Sequence, residues 1–101
     1  MKMYILIKEE VPAKLVPVIS AHSSLACYLK FKDETEMQIW VTNIFKKVVC
    51  KVTDIEFEKA KTFEKHLVLT ESAFEGKEVA IVFCQREEFP KPFKFYKMWT
   101  P

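Results

Sequence analysis

Met3-Tyr4-Ile5-Leu6-Ile7, closed by Lys8-Glu9-Glu10 and followed from Lys14 by apolar residues at helical spacing, is the stretch that decides the fold. Its five leading residues form a continuous apolar run rich in strand formers, the pattern of a strand buried on both faces. Val11-Pro12-Ala13 breaks the run. Leu15, Val18, Ile19, His22, Leu25, Ala26 and Leu29 then recur at i, i+3, i+4 and i+7, which predicts an amphipathic helix of roughly four turns. Pro17 fits its first turn, where proline gives up a donor that has no helical partner. That places the helix start near Ala13 or Lys14. A strand feeding straight into a helix marks an α/β chain.

Further along, Asp33-x-x-Glu36 is a start signal for a second, shorter helix with Met37, Trp40, Val41 and Ile44 at helical spacing. Lys47 to Val52 reads as the second strand, and Thr53-x-x-Glu56 is a capping box for a third helix whose expected apolar contacts are Ile55, Phe57, Ala60 and Phe63. Leu67 to Thr70 is the third strand, Glu75-Gly76 a turn, and Val79 to Cys84 the longest apolar run, hence a central strand. The order β-α-α-β-α-β-β predicts an α/β fold with three layers, α/β/α, around a four-stranded mixed sheet. Both helical crossovers imply parallel pairings, and the short link through Gly76 turns the fourth strand antiparallel. Phe89 to Trp99, with Pro90 and Pro92 at its start, is read as a short edge strand or a strap over the sheet.

The composition bounds the function. A chain of 101 residues, 50% apolar and 30% charged, fits a single domain spanning residues 1–101 and argues against disorder. The net charge of +2 does not by itself point to nucleic acid or membrane. A single glycine excludes the Gly-rich phosphate cradles of both standard nucleotide-binding motifs. Cys27, Cys50 and Cys84 are widely spaced within apolar runs, so they read as free thiols rather than a disulfide framework or a zinc site. No metal or cofactor motif is found, and no run reaches membrane-spanning length. A reduced, cytoplasmic protein is the expectation.

His22, with Ser20, Ser23 and Ser24, is the one compact group of catalytic residue types. Adjacent helical residues point to different faces, so Ser23 is poorly placed to be activated by His22, and an imidazole on the apolar stripe also reads as a core histidine. Lys14 lies where the first strand hands over to the helix, the sheet edge at which ligands bind, and a lysine there can pair with phosphate. Glu71, just after the third strand, falls at the same edge and could position a water. Each also fits an ordinary solvated residue. Phe93, Phe95, Tyr96 and Trp99, set among Lys91, Lys94 and Lys97, have the composition of a single-strand binder, or of rings that finish a core while their lysines reach outward.

The first strand and Lys14-Leu15-Val16-Pro17-Val18-Ile19-Ser20-Ala21-His22-Ser23-Ser24-Leu25-Ala26 resemble the first βα unit of the type 2 peptidyl-tRNA hydrolases and their small bacterial relatives of unassigned function. The resemblance implies a compact α/β fold over nearly the whole chain and metal-independent cleavage of the ester between peptide and tRNA. On that pattern Lys14 matches the last lysine of the family's turn. Ser20 and His22 fall at its Ser-His segment after a one-residue slip, and Glu71 falls at its acidic position. Val18 stands where an amide side chain is expected, and Ser72-Ala73-Phe74 replaces the Gly- and Thr-bearing stretch after the carboxylate. The resemblance therefore implies a binding or regulatory relative with an eroded hydrolase site. Its candidate partners are tRNA or a small ligand, and the abundant apolar surface suggests a homodimer. A peptidyl-tRNA hydrolase and a homodimeric interaction module are the alternatives.

Overall fold

A computed structural model describes residues 1–101, folded as an α/β domain with a mixed sheet. β1 (Met3–Lys8) leads through a 3-10 turn at Ala13–Leu15 into α1 (Val16–Phe31). α2 (Thr35–Ile39) runs on into a single π turn, Trp40–Ile44, before β2 (Lys47–Val52). α3 (Asp54–Ala60), β3 (His66–Glu71) and β4 (Lys77–Phe83) follow, and a 3-10 turn at Lys91–Phe95 precedes β5 (Lys97–Met98).

The sheet has five strands, not four, in the order β3-β4-β1-β2-β5. The additional strand belongs to the C-terminal segment. Two residues of it, Lys97 and Met98, pair antiparallel with Lys51 and Cys50, and Trp99 N–H donates to the Val49 carbonyl at 2.9 Å. Only one of the two expected parallel pairings forms, β1 with β2 from Met3↔Lys47 to Lys8↔Val52. β3 runs in the direction of β1 but does not touch it, because β4 lies between them, antiparallel to both. The β3–β4 hairpin moves as one unit to the free edge of β1, and its inner strand, all apolar from Val79, takes the buried position. The turn joining them uses two left-handed residues, Glu75 (φ 57°) and Gly76 (φ 68°).

Alternation along β1 divides the core. Met3, Ile5 and Ile7 pack with Val16, Ile19 and Cys27 of α1 and with Met37 and Trp40. Leu6, pointing the other way, packs with Cys50, Val52, Phe57, Ala60, Phe83, Phe93 and Tyr96. The rings of Phe93 and Tyr96 thus finish a core, while Phe95 stays exposed. The capping box of α3 forms as read: Glu56 N–H donates to Thr53 Oγ1 at 3.1 Å and Thr53 N–H to Glu56 Oε1 at 2.8 Å. Ile55, expected inside, is 84% exposed, since the helix buries only Phe57 and Ala60.

The largest correction concerns α1. Its buried face is Val16, Ile19, Ser23 and Cys27, whereas Val18, His22, Leu25 and Leu29 of the expected stripe are exposed. At 3.6 residues per turn these two stripes lie about 135° apart around the axis. Both have helical period, so spacing alone does not choose between them. The chain buries the one carrying the small Ser23 and Cys27, which let the helix settle closely on the sheet. Ser23 costs little to bury because its hydroxyl donates to the Ile19 carbonyl at 2.8 Å. His22 is therefore a surface residue, not a core histidine.

Candidate functional site

The four residues singled out by sequence do not converge on one site. His22 and Glu71 line the same shallow depression between α1 and β3, with Leu25, Leu29, Leu69 and Ser72. Ser20 lines a different depression, on the β2 side of the helix, and Lys14 lines neither. Glu71 also has a local structural task. Its Oε2 accepts from Ala73 N–H at 3.1 Å and from Ser72 Oγ at 3.4 Å, capping the short turn that leads to the β3–β4 link.

The groove that holds Ser20 has the stronger claim. It arises because α1 packs over β1, β4 and β3 and leaves part of β1 and β2 uncovered on its other flank. Ile5 and Val49, partners across the β1–β2 ladder, line it from the sheet. Ala21, Ser24, Leu25 and Tyr28 contribute from α1, and Trp40, Val41 and Phe45 from the π turn. Its volume is about 550 Å³, within the range of sites that take small molecules. Lys47 is the sole charged residue among its lining, and the hydroxyl-bearing residues are Ser20, Ser24 and Tyr28.

The wall of this groove is built by an irregularity. Phe45 N–H bonds to the Trp40 carbonyl at 2.7 Å, five residues back, and Phe45 then closes the turn in the left-handed region at φ 61°. π turns and left-handed non-glycine residues are costly local features that recur at functional sites. Here they carry the chain out of the helix so that the Phe45 ring stacks on Trp40 and stays 58% exposed. Trp40 is fixed from behind, its indole N–H donating to the Lys46 carbonyl at 2.7 Å. The Lys47 ammonium lies 3.7 Å from the Phe45 ring centroid and 5.0 Å from that of Trp40, and donates to the Phe45 carbonyl at 2.8 Å. The cation is thus held over two rings beside an apolar channel, with further N–H donors available to a ligand.

Sequence reasoning took Trp40 as a core residue and passed over Phe45 and Lys47. Trp40 is indeed buried. The signal that could have found the others is an aromatic followed by two lysines directly after a helical run, Phe45-Lys46-Lys47. No protein-family model matches the chain, and neither does any curated protein.

Proposed function

We propose that the chain is a binding domain that takes small amphipathic anions in the groove between α1 and β2. The ligand would have an apolar body and one carboxylate-like head. The observation that carries this reading is the lining itself: apolar and aromatic almost throughout, with Lys47 as the lone charge. Such a site rewards burial of hydrocarbon and fixes its orientation by one charged contact. The reading agrees with the resemblance to a non-hydrolytic relative of the type 2 peptidyl-tRNA hydrolases, with helices layered on both faces of the sheet and a cytoplasmic setting.

Calorimetric titration with octanoate and octanol tests it. Octanoate is expected to bind saturably at one site, and Lys47→Gln to weaken it about tenfold, the value of one charge-assisted hydrogen bond, while leaving octanol binding unchanged. Absence of saturable octanoate binding, or an equal effect of the substitution on both ligands, would overturn the reading.

A second reading rests on the depression shared by His22 and Glu71. It is that of a peptidyl-tRNA hydrolase, with Glu71 positioning water and His22 beside it. Incubation with peptidyl-tRNA decides: release of peptide that Glu71→Gln abolishes would favour this reading, and turnover no faster than buffer eliminates it.

A further inference from the structure

A second depression, of about 410 Å³, lies where β1 begins and β4 ends, away from the groove of α1 and β2. Lys2 precedes β1, Arg86 follows β4, and Lys91 and Lys94 sit on the C-terminal 3-10 turn; all four line it. None of the four forms an ion pair, although Glu87 and Glu88 share the lining. The lining therefore carries four cations against two carboxylates, a surplus of 4 − 2 = +2.

Arg86 is prepared for a ligand in a way the lysines are not. Its guanidinium lies 4.9 Å from the Phe89 ring centroid and 5.8 Å from that of Phe83, and its Nη2 donates to the Glu64 carbonyl at 2.6 Å. Phe89 is itself held edge-on against Tyr4 at 4.7 Å. The arginine Nε is buried without a hydrogen-bond partner, so the fork is oriented and desolvated but not satisfied. A fixed guanidinium with donors to spare suits planar, bidentate recognition of an oxyanion, and little ordering entropy remains to be lost on binding.

We propose that this depression binds a phosphate monoester or free phosphate dianion, held by Arg86 with Lys2, Lys91 and Lys94 neutralising its charge. The dianion matches the surplus of two positive charges. Arg86 supplies the directional contact, and the lysines supply field.

Isothermal titration at low salt with inorganic phosphate and, separately, uridine 5′-monophosphate tests this on the full chain. Saturable binding of at least one is expected, weakened about tenfold or more in the double variant Lys91→Gln/Lys94→Gln. Arg86→Lys, which keeps the charge and loses the fork, is expected to weaken it comparably. Tighter binding of the nucleotide would assign the site to phosphorylated metabolites, and equal or tighter binding of phosphate would assign it to the free ion. Failure of both to saturate by 10 mM, or affinity unchanged in the double variant, overturns the proposal. Octanoate affinity is measured alongside and should not change in these variants, so the two sites are judged separately.

Discussion

Phe45 lies stacked on Trp40, ring centroids 5.0 Å apart and planes 26° apart, at the residue where a π turn ends in the left-handed region. A ring at φ 61° is held there against its backbone preference, and the stacking contact together with Lys47 over its face is what holds it. Two substitutions separate backbone from side chain. Phe45→Ala loses the ring and keeps the strain, whereas Phe45→Gly loses the ring and relieves it. Urea unfolding should show the glycine variant more stable than the alanine variant by about 1 kcal/mol. Both should lose octanoate affinity to a similar degree. Alanine as stable as glycine would mean that the left-handed turn stores no strain.

The two apolar stripes of α1 give an expectation opposite to the one that helical spacing alone supports. Leu29 is 56% exposed, so Leu29→Lys should shift stability by no more than about 0.5 kcal/mol. Ile19, almost wholly buried between helix and sheet, should not accept charge: Ile19→Lys is expected to cost more than about 3 kcal/mol or to prevent folding. Chemical denaturation of the pair decides it. Similar costs at both sites would return the buried face to the stripe containing His22.

These substitutions also mark where the sequence was legible. Strand two was readable to the residue, Lys47 to Val52, because a β-branched run bounded by polar residues is a local signal. The capping box at Thr53 and Glu56 was readable because both partners lie within one turn. The choice between the stripes of α1 was not, since it depends on how closely a helix with Ser23 and Cys27 can approach a sheet formed by distant segments. The place of β3 was hidden for the same reason: a crossover helix fixes the direction of the strand it delivers, while the hairpin with β4 decides which edge that strand occupies. For the candidate site, residue types were readable but their convergence was not. Ser20 and His22 are two positions apart on one helix and line depressions on opposite flanks of it.

At the N-terminus of α3, Thr53→Ala removes one half of a reciprocal cap. Thr53 and Asp54 are exposed, so the loss is that of the hydrogen bond to Glu56 N–H rather than of packing. A cost of about 1 kcal/mol is expected in thermal or urea unfolding, with Thr53→Ser recovering most of it. Ile55→Asn, one turn residue further and almost fully exposed, should be close to neutral. A serine variant no better than alanine would show that the threonine methyl, not its hydroxyl, matters.

Buried thiols set the alkaline limit of the fold. Burial pushes the Cys27 thiol from the ordinary 9.0 up to about 12, with Cys84 nearby adding to the effect. Burial is also the leading cause that brings Cys50 and Cys84 to about 11. In the unfolded chain these thiols ionise near their ordinary value, so between the two values the unfolded state gains free energy by losing protons that the folded state retains. The contribution is fully present below pH 9, declines from there, and is lost as pH rises through 11 to 12. Each thiol lowers stability by up to about 1.4 kcal/mol per pH unit inside that window. Lys61 and Lys65, whose values are raised first by hydrogen bonds to Glu78 and Glu34 respectively, add their own loss only above 10.5, so pH 9 to 10 isolates the thiols from the lysines. Urea midpoints measured from pH 7 to 10 should be flat to about 8.5 and then fall, and Cys27→Ala should make the fall shallower by about one third. A midpoint that stays level to pH 10, or an unchanged slope in the variant, would show that these thiols do not remain protonated in the folded chain.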